Sequence, residues 1–535
     1  MDTSPAVSIA QPSSDVVELW SLREDTLVEL PDANEGTLAL TTRWGEVLLP
    51  AATPILCSAL ERMSYGPVVL RNLVPAAATQ DARQERALLD GALEELRNVT
   101  VRSLSAGGSS PLLSVVPLAS DARFQPTRPR ADSVLRLSRY AVVRSDTGDL
   151  CVESPLCKQR VVLHRLESAS LLCSLTQPAT VAQLATRLEL RADVVGAVVG
   201  YLEGAGVVVR GDVSPGDDTC SFAEDHDPAL ASWSPADLMM HARSRLGRDD
   251  GLVGATGEQP KDFATLTSPA VSEHESIALP HPALDVILNK DPPLTAALEA
   301  RRSLRSYGAR PVTLAQLAEL LYRSARVRTM ATAGAKDPGS SRPYPSVGRT
   351  YALELYLLVS NCEGLAPGAY HYDPVAHALR PVDADPALSG ELVGQARETG
   401  ALAADPPVLV VMTARFHRVM GRFGGLAYSG LLKDVGVLQQ TLYLVCTAMG
   451  LAPCALAVGD SDLSARALGL DWSTESSIGE FALGTLPPHT DAQSTPPDES
   501  STPVNGADWQ ERCCRILGLW SAHTQPHRDI RSTTS

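Results

Sequence analysis

Three short stretches in the second half of the chain hold residues able to bind a charged, flat ligand. The first is Arg301-Arg302-Ser303-Leu304-Arg305-Ser306-Tyr307. Guanidinium groups beside a serine hydroxyl can grip a phosphate through forked, charge-assisted hydrogen bonds, although a solvated basic turn has the same composition. The second is Pro345-Ser346-Val347-Gly348, a turn that feeds an apolar strand. Such a turn leaves backbone N–H groups beside a ligand, and it equally fits a purely structural role. The third, Ala457-Val458-Gly459, follows a long apolar helix over Leu431–Gly450 and a strand opening at Ala452, so a helix-capping glycine and a strand together present the loop. Elsewhere Asp237 and His241 stand four apart on a helix opened by Ser234 and Pro235, sharing a face. A lone histidine on a helix is more often structural than catalytic.

The elements that must position these residues fall into a recognisable order. Residues 281–486 form one domain, with a core helix starting near Thr313 by its leucine spacing. Upstream, 1–120 and 121–215 read as two diverged copies of one unit. Helices at Ala51–Met63 and Asp81–Leu96 and a strand at Val99–Leu104 recur as Arg165–Leu175, Ala192–Gly204 and Val207–Arg210. Helix–turn–helix followed by a β-wing is a winged-helix pattern. DNA reading is disfavoured, because Arg191–Glu203 offers one arginine against two acids. A packing module, or a wing whose open edge strand binds an extended peptide, remains. Residues 216–280 are a polar linker with one helix, and 487–535 a largely disordered tail with a short amphipathic piece, Trp509–Trp520.

The bulk numbers bound these readings. At 535 residues, length alone suggests three or four domains, and with aromatics at 4% the cores must be built from Leu, Val and Ala. A net charge of −16 argues against a nucleic-acid partner, which requires a concentrated basic face. Ten cysteines without a CxxC pair suggest neither a zinc site nor a redox motif, so no metal is expected. Those in apolar runs, such as Cys446 and Cys173, are expected to be buried, inert thiols. The start lacks signal-peptide features, and no apolar run reaches membrane-span length, so a cytoplasmic protein without a membrane partner is expected.

In their order and spacing the segments resemble the nitroreductase-like flavoproteins, and within them the branch that oxidises azoline heterocycles in ribosomally made peptides. The likeness rests on Arg301–Tyr307, Leu320–Arg328, Pro345–Gly348, Gly368–Pro374, Leu432–Leu438 and Ala448–Leu456. The helix Met239-Met240-His241-Ala242-Arg243 is similar to one in the cyanobactin-oxidase subgroup, and the likeness covers most of residues 15–484. It implies an α+β, nitroreductase-like FMN-binding domain preceded by tandem winged-helix-like units. Arg301, Arg302, Ser303 and Arg305 would hold FMN, Ser346 and Gly348 would line its ribityl chain and ring, and Ala457, Val458 and Gly459 would face the isoalloxazine. The resemblance further implies a homodimer, a precursor peptide bearing thiazolines or oxazolines as substrate, and a cyclodehydratase partner.

There is one departure. Where the family commonly carries a Lys-Tyr pair before the long helix, this chain has Arg422-Phe423. Phenylalanine transfers no proton and arginine is almost always charged. The base is therefore expected at Tyr428, His417 or Lys433, with Arg422 positioning substrate. Two other readings stay open: an NAD(P)H-dependent oxidoreductase of small molecules, and a flavin-binding scaffold that presents peptide without turning it over.

Overall fold

The computed structural model describes residues 15–30, 37–50, 52–73, 80–107, 110–213, 220–245, 247–248, 250, 276–330, 340–487, 509, 512–513 and 516–517. The expected Trp509–Trp520 segment and the later part of the 216–280 linker lie largely outside them. By its contacts the chain divides into two compact units, Met1–Leu252 and Val253–Ser535.

The first unit is built on a six-stranded antiparallel sheet. Its members are β1 (Val16–Leu22), β5 (Thr100–Ala106), β6 (Leu113–Pro117), β8 (Val142–Asp146), β9 (Asp149–Glu153) and β10 (Gln159–Leu163), in the order β1–β5–β6–β10–β9–β8. The β8–β9 hairpin turns through Thr147 and Gly148, both at positive φ (49° and 97°), as a two-residue turn of the favoured twist demands. A small sheet of β2 (Leu27–Glu29), β3 (Thr37–Thr42) and β4 (Gly45–Pro50) packs with α1 (Pro54–Tyr65) and α2 (Gln80–Glu95) around Leu38, Leu40, Leu60 and Leu89. A second core joins β6 and β10 to α3 (Leu166–Ser174), α4 (Val181–Leu188) and α5 (Ala192–Gly204). Thr180 and Gln183 form a reciprocal capping box that fixes the start of α4.

Helices occur near the expected 51–63, 81–96, 165–175 and 192–204, but β5 pairs with β6 and β6 with β10, so one sheet runs through both 1–120 and 121–215. The last sheet is β11 (Ala179–Thr180), β7 (Val134–Leu137), β12 (Val208–Val213) and β13 (Cys220–Phe222), followed by α6 (Ala223–His226) and α7 (Pro235–Arg243). Arg243 reaches Glu153 at 2.9 Å, which ties this helix of the expected linker into the first unit. His241 stacks on Trp233 and Asp237 serves the Ser234 cap, so the pair is used structurally. Cys446 is buried as expected, whereas Cys173 is exposed because α3 turns that position away from its core.

The second unit holds a seven-stranded antiparallel sheet, beside the short helices α8 (Leu284–Lys290) and α9 (Leu294–Ala300) and the two-residue strands β15 (Val312–Thr313), β16 (Thr329–Met330), β17 (Ser340–Ser341) and β19 (Cys362–Glu363). The strands of the sheet are β14 (Ile277–Ala278), β18 (Leu353–Val359), β20 (Gly368–Asp373), β21 (Ala378–Pro381), β22 (Val408–Arg415), β23 (Leu451–Leu456) and β24 (Glu475–Thr485), ordered β14–β21–β20–β18–β22–β24–β23. Every residue of central strands β18 and β22 is buried, which accounts for their near-continuous apolar sequence: both faces are covered. One face carries α10 (Leu314–Ala325) and the 23-residue α13 (Ala427–Met449), the other α11 (Pro386–Thr399) and α14 (Ser461–Leu468). On α13, Leu431, Val435, Leu438, Leu442 and Cys446 recur at helical spacing along the buried side. The helix stops at Gly450, whose φ of +68° suits a residue without Cβ. Among the described residues no helix is long and apolar enough to cross a membrane.

Candidate functional site

A cavity forms in the second unit because two neighbouring strands differ in length. Pairing of β23 with β24 runs from Leu451↔Thr485 to Leu456↔Glu480 and stops there, while β24 continues to Glu475. Beyond Leu456 the chain leaves the sheet as Ala457-Val458-Gly459 and re-enters structure at Asp460, whose carboxylate caps α14 by accepting the Leu463 N–H at 2.8 Å. The uncovered edge of β24, this loop and the first turns of α13 enclose about 790 Å3. Ala457, Val458, Gly459 and Tyr428 all line it, with Val435, Gln439 and Ser477 among the other walls. The tyrosine ring lies tilted against Phe416, 6.3 Å between centroids.

Gly459 is dictated by a close approach: a Cβ there would stand 2.2 Å from the Glu480 carboxyl. Glu480 itself is 3% exposed and accepts a hydrogen bond from the Ser477 hydroxyl at 2.6 Å. Burial raises its pKa, and the Ser477 bond only partly opposes that. Sequence reasoning passed over this acid, although one carboxylate within the otherwise apolar Ile478–Leu483 run is the kind of interruption that marks a site.

The arginine-rich segment is laced onto the strand that leads to the loop. Leu304 N–H donates to Pro453 O at 2.8 Å, and Ser303 Oγ lies 2.7 Å from the Tyr443 hydroxyl, which also accepts the Ala455 N–H at 2.7 Å. The Arg301 guanidinium sits over the Tyr443 ring, 5.2 Å from its centroid. Arg302 is half-buried. Arg305 is exposed and donates to Gly400 O at 3.0 Å, at the end of α11, so it is engaged away from Arg301. None of these four lines the cavity.

Ser346 and Gly348 belong to a separate knot. The Ser346 hydroxyl donates to Asp434 at 2.6 Å and accepts from the Tyr351 N–H at 3.0 Å, while the Val347 N–H meets the same carboxylate at 2.9 Å. Asp434 is 5% exposed; desolvation raises its pKa against the pull of these two donors. Gly348 has φ +53°, and a Cβ there would strike the Phe423 ring at 2.3 Å. The aromatic ring of the Arg422-Phe423 pair is therefore packed on this glycine. Arg422 reaches over that ring toward Gly348 O, at 3.5 Å.

Of the expected bases, only Tyr428 lines the cavity. Lys433 is exposed on α13. His417 opens α12 (His417–Phe423), where desolvation first, then the charges of Arg418 and Arg415, lower its pKa. Its neighbours are held by a buried ionic network that the sequence reading did not foresee. Arg415 lies 3.2 Å from both Glu354 and Glu475, His371 is 3.0 Å from Glu354, and Thr413 donates to Glu475 at 2.7 Å. Burial would raise the Glu354 pKa, but the His371 hydrogen bond and the charges of Arg415, His371 and Arg418 outweigh it and hold it low.

Residues 298–485 match the model of the nitroreductase family, and residues 135–250 match the model described as cyanobactin oxidase ThcOx. A Methanocaldococcus jannaschii protein named as a nitroreductase, MJ1384, is 31% identical over 158 residues, covering 30% of this chain and 75% of that one. The microcin B17-processing protein McbC of Escherichia coli is 31% identical over 145 residues, 26% of this chain and about half (52%) of McbC. The solved E. coli microcin synthetase McbBCD complex with truncated pro-MccB17 aligns at 21% identity over 44% of this chain and 88% of the other, with a TM-score of 0.30. The chain belongs to the nitroreductase family, whose members generally bind flavin, and it is an oxidoreductase.

Proposed function

We propose that the chain is an FMN-dependent dehydrogenase that oxidises thiazolines or oxazolines of a ribosomally made precursor peptide to thiazoles or oxazoles. One observation carries the reading: a segment matching the cyanobactin-oxidase model and a nitroreductase domain with an open cavity occur in one chain. The likeness to McbC, which processes microcin B17, supports it.

The cavity's size and lining are compatible with the ring of FMN. A volume near 790 Å3 is within the range of small-molecule sites, and the walls mix apolar Val435, Leu456 and Ile478 with polar Gln439 and Ser477. Ala457, Val458 and Gly459, which line the cavity, would face the ring; Ser346 and Gly348 would line the ribityl chain and ring, and Arg301, Arg302, Ser303 and Arg305 would hold the phosphate, from positions outside the cavity's own walls. When bound, FMN supplies the acceptor for the hydride that leaves the azoline ring. Removal of the companion proton, from the carbon α to the ring imine, falls to the protein. Tyr428 is the first candidate to take or relay it, because its side chain lines the cavity while remaining 40% exposed and so accessible to a peptide. His417, with a lowered pKa, and Lys433 stand further down the order. Arg422 positions substrate. The first unit binds the precursor peptide or a cyclodehydratase partner, and exposed Leu432 and Val437 on α13 support pairing of two copies.

Tyr428→Phe is expected to lower azoline oxidation by about 100-fold or more while the flavin absorbance of the purified protein is unchanged; full activity would remove this residue from the mechanism. The likeness to MJ1384, a protein named as a nitroreductase, over 30% of this chain supports a second reading, reduction of small molecules, for which NAD(P)H would be the electron donor. Rapid flavin reduction by NADPH in stopped flow would select that reading over peptide oxidation.

A further inference from the structure

The first unit carries a cavity of its own, about 660 Å3, walled by one face of β5, β6, β10 and β9. Register explains what gathers there. Ser103 pairs with Ser114, Ser114 with Val162 and Val162 with Cys151, and successive side chains alternate across the pleat. Leu163 pairs with Leu150, so the next positions outward are His164 and Asp149.

Three hydrogen bonds run in one line through this face. Ser103 Oγ is 2.7 Å from Ser114 Oγ, Ser114 Oγ is 2.8 Å from His164 Nε2, and His164 Nδ1 is 2.9 Å from Asp149 Oδ2. A carboxylate can only accept, so it takes the Nδ1 proton. Nε2 then keeps its lone pair toward the serine, whose own oxygen accepts from Ser103. A polar sheet face satisfying its own groups would also be hydrogen-bonded. Here, however, the serine, the histidine and the aspartate all line an open cavity.

We propose that Ser114, His164 and Asp149 are the nucleophile, base and orienting carboxylate of a hydrolytic site for cationic carboxylic esters, independent of the oxidation assigned to the second unit. The roles follow from the line of bonds. Ser114 Oγ adds to the acyl carbon as His164 Nε2 takes its proton; the ester C–O bond breaks and the alcohol leaves with that proton. Water then adds to the acyl-serine, again giving a proton to His164. The carboxylic acid departs as the bond to Oγ breaks, and the proton returns to Ser114.

Charge sets the preference. Glu24, Asp25, Asp146, Asp149 and Asp250 line the cavity against Arg23 and Arg160, and both arginines are ion-paired, Arg23 with Asp25 and Asp250 and Arg160 with Glu153 and Asp250. Asp25 and Asp250 also pair with Arg43, and Asp146 with Arg144, so five lining carboxylates face four arginines and a small negative excess favours a cationic acyl group. Ser114 sits in a strand paired on both sides, so its backbone amides are committed to the sheet. The Arg160 guanidinium shares this face but is already paired with Glu153 and Asp250, so negative charge on the acyl oxygen meets only weak stabilisation. Activated esters are the substrates this arrangement can serve.

The test uses the full-length protein with p-nitrophenyl 4-guanidinobenzoate, and separately with a fluorophosphonate probe. The expected result is a covalent adduct that peptide mass spectrometry maps to Ser114, with p-nitrophenolate released in proportion to protein. Ser114→Ala abolishes the adduct, and His164→Gln and Asp149→Asn slow it by about 100-fold or more. No adduct at Ser114 in the folded wild type, or an unchanged rate in His164→Gln, would overturn the proposal. Acylation by neutral p-nitrophenyl acetate at the rate of the guanidinobenzoate would overturn the cationic preference. The adduct is mapped on wild-type protein, so the result does not depend on the variants folding.

Discussion

At the scale of single residues, two positions translate close contacts into measurable outcomes. Gly348 is held at φ +53° against the Phe423 ring. Gly348→Ala is expected to cost about 2 kcal/mol or more, from left-handed backbone and the ring contact together. Urea unfolding would measure it, and coupling to Phe423→Leu in a double-mutant cycle would isolate the contact. Glu480 gives a pH signature. Its folded-state pKa is raised by burial, so its favourable contribution is complete below the ordinary carboxylate value and is lost as pH rises through the folded value. Glu480→Gln should therefore be more stable than wild type at neutral pH, with the difference in Tm closing on acidification below the ordinary glutamate range. A difference that stays constant with pH would contradict this. The sequence named the glycines but not their reasons: Gly348 answers to Phe423 and Gly459 to Glu480, contacts between residues 75 and 21 positions apart.

At the scale of elements, the cavity is a consequence of β23 ending where β24 continues. Periodicity placed α10 and α13, because their leucines repeat at helical spacing and because Thr313 and Gly450 punctuate them. It could not reveal that β24 has an uncovered edge, since strand length and register depend on partners far away in sequence. For the same reason it missed the network that joins β18, β20, β22 and β24 through Glu354, His371, Arg415 and Glu475. Arg415→Met is expected to destabilise the second unit by about 3–5 kcal/mol, because it leaves two buried carboxylates without their shared cation. Chemical denaturation would measure the loss. The segment 301–307 was recognised from its arginines, yet its attachment to Pro453, Tyr443 and Gly400 uses Ser303, Leu304 and Arg305 for structure as well.

At the scale of the whole molecule, each unit carries its own hydrophobic cores: those of residues 22–208 in the first and 279–483 in the second. The second unit is therefore expected to hold flavin without the first, while affinity for the precursor peptide falls. Equal peptide affinity in isothermal titration of the full chain and of residues 253–535 would place peptide recognition in the second unit instead. The nitroreductase architecture was legible because its motifs are dense between Arg301 and Leu456. The single sheet spanning the two expected upstream copies was not, because strand pairing between them leaves no local mark. Oxidation of an azoline by flavin is read most directly by mass spectrometry of a thiazoline-bearing peptide incubated with the FMN-loaded protein. A loss of two hydrogens per ring is expected; an unchanged peptide mass with flavin fully bound would show that the chain is not an azoline dehydrogenase.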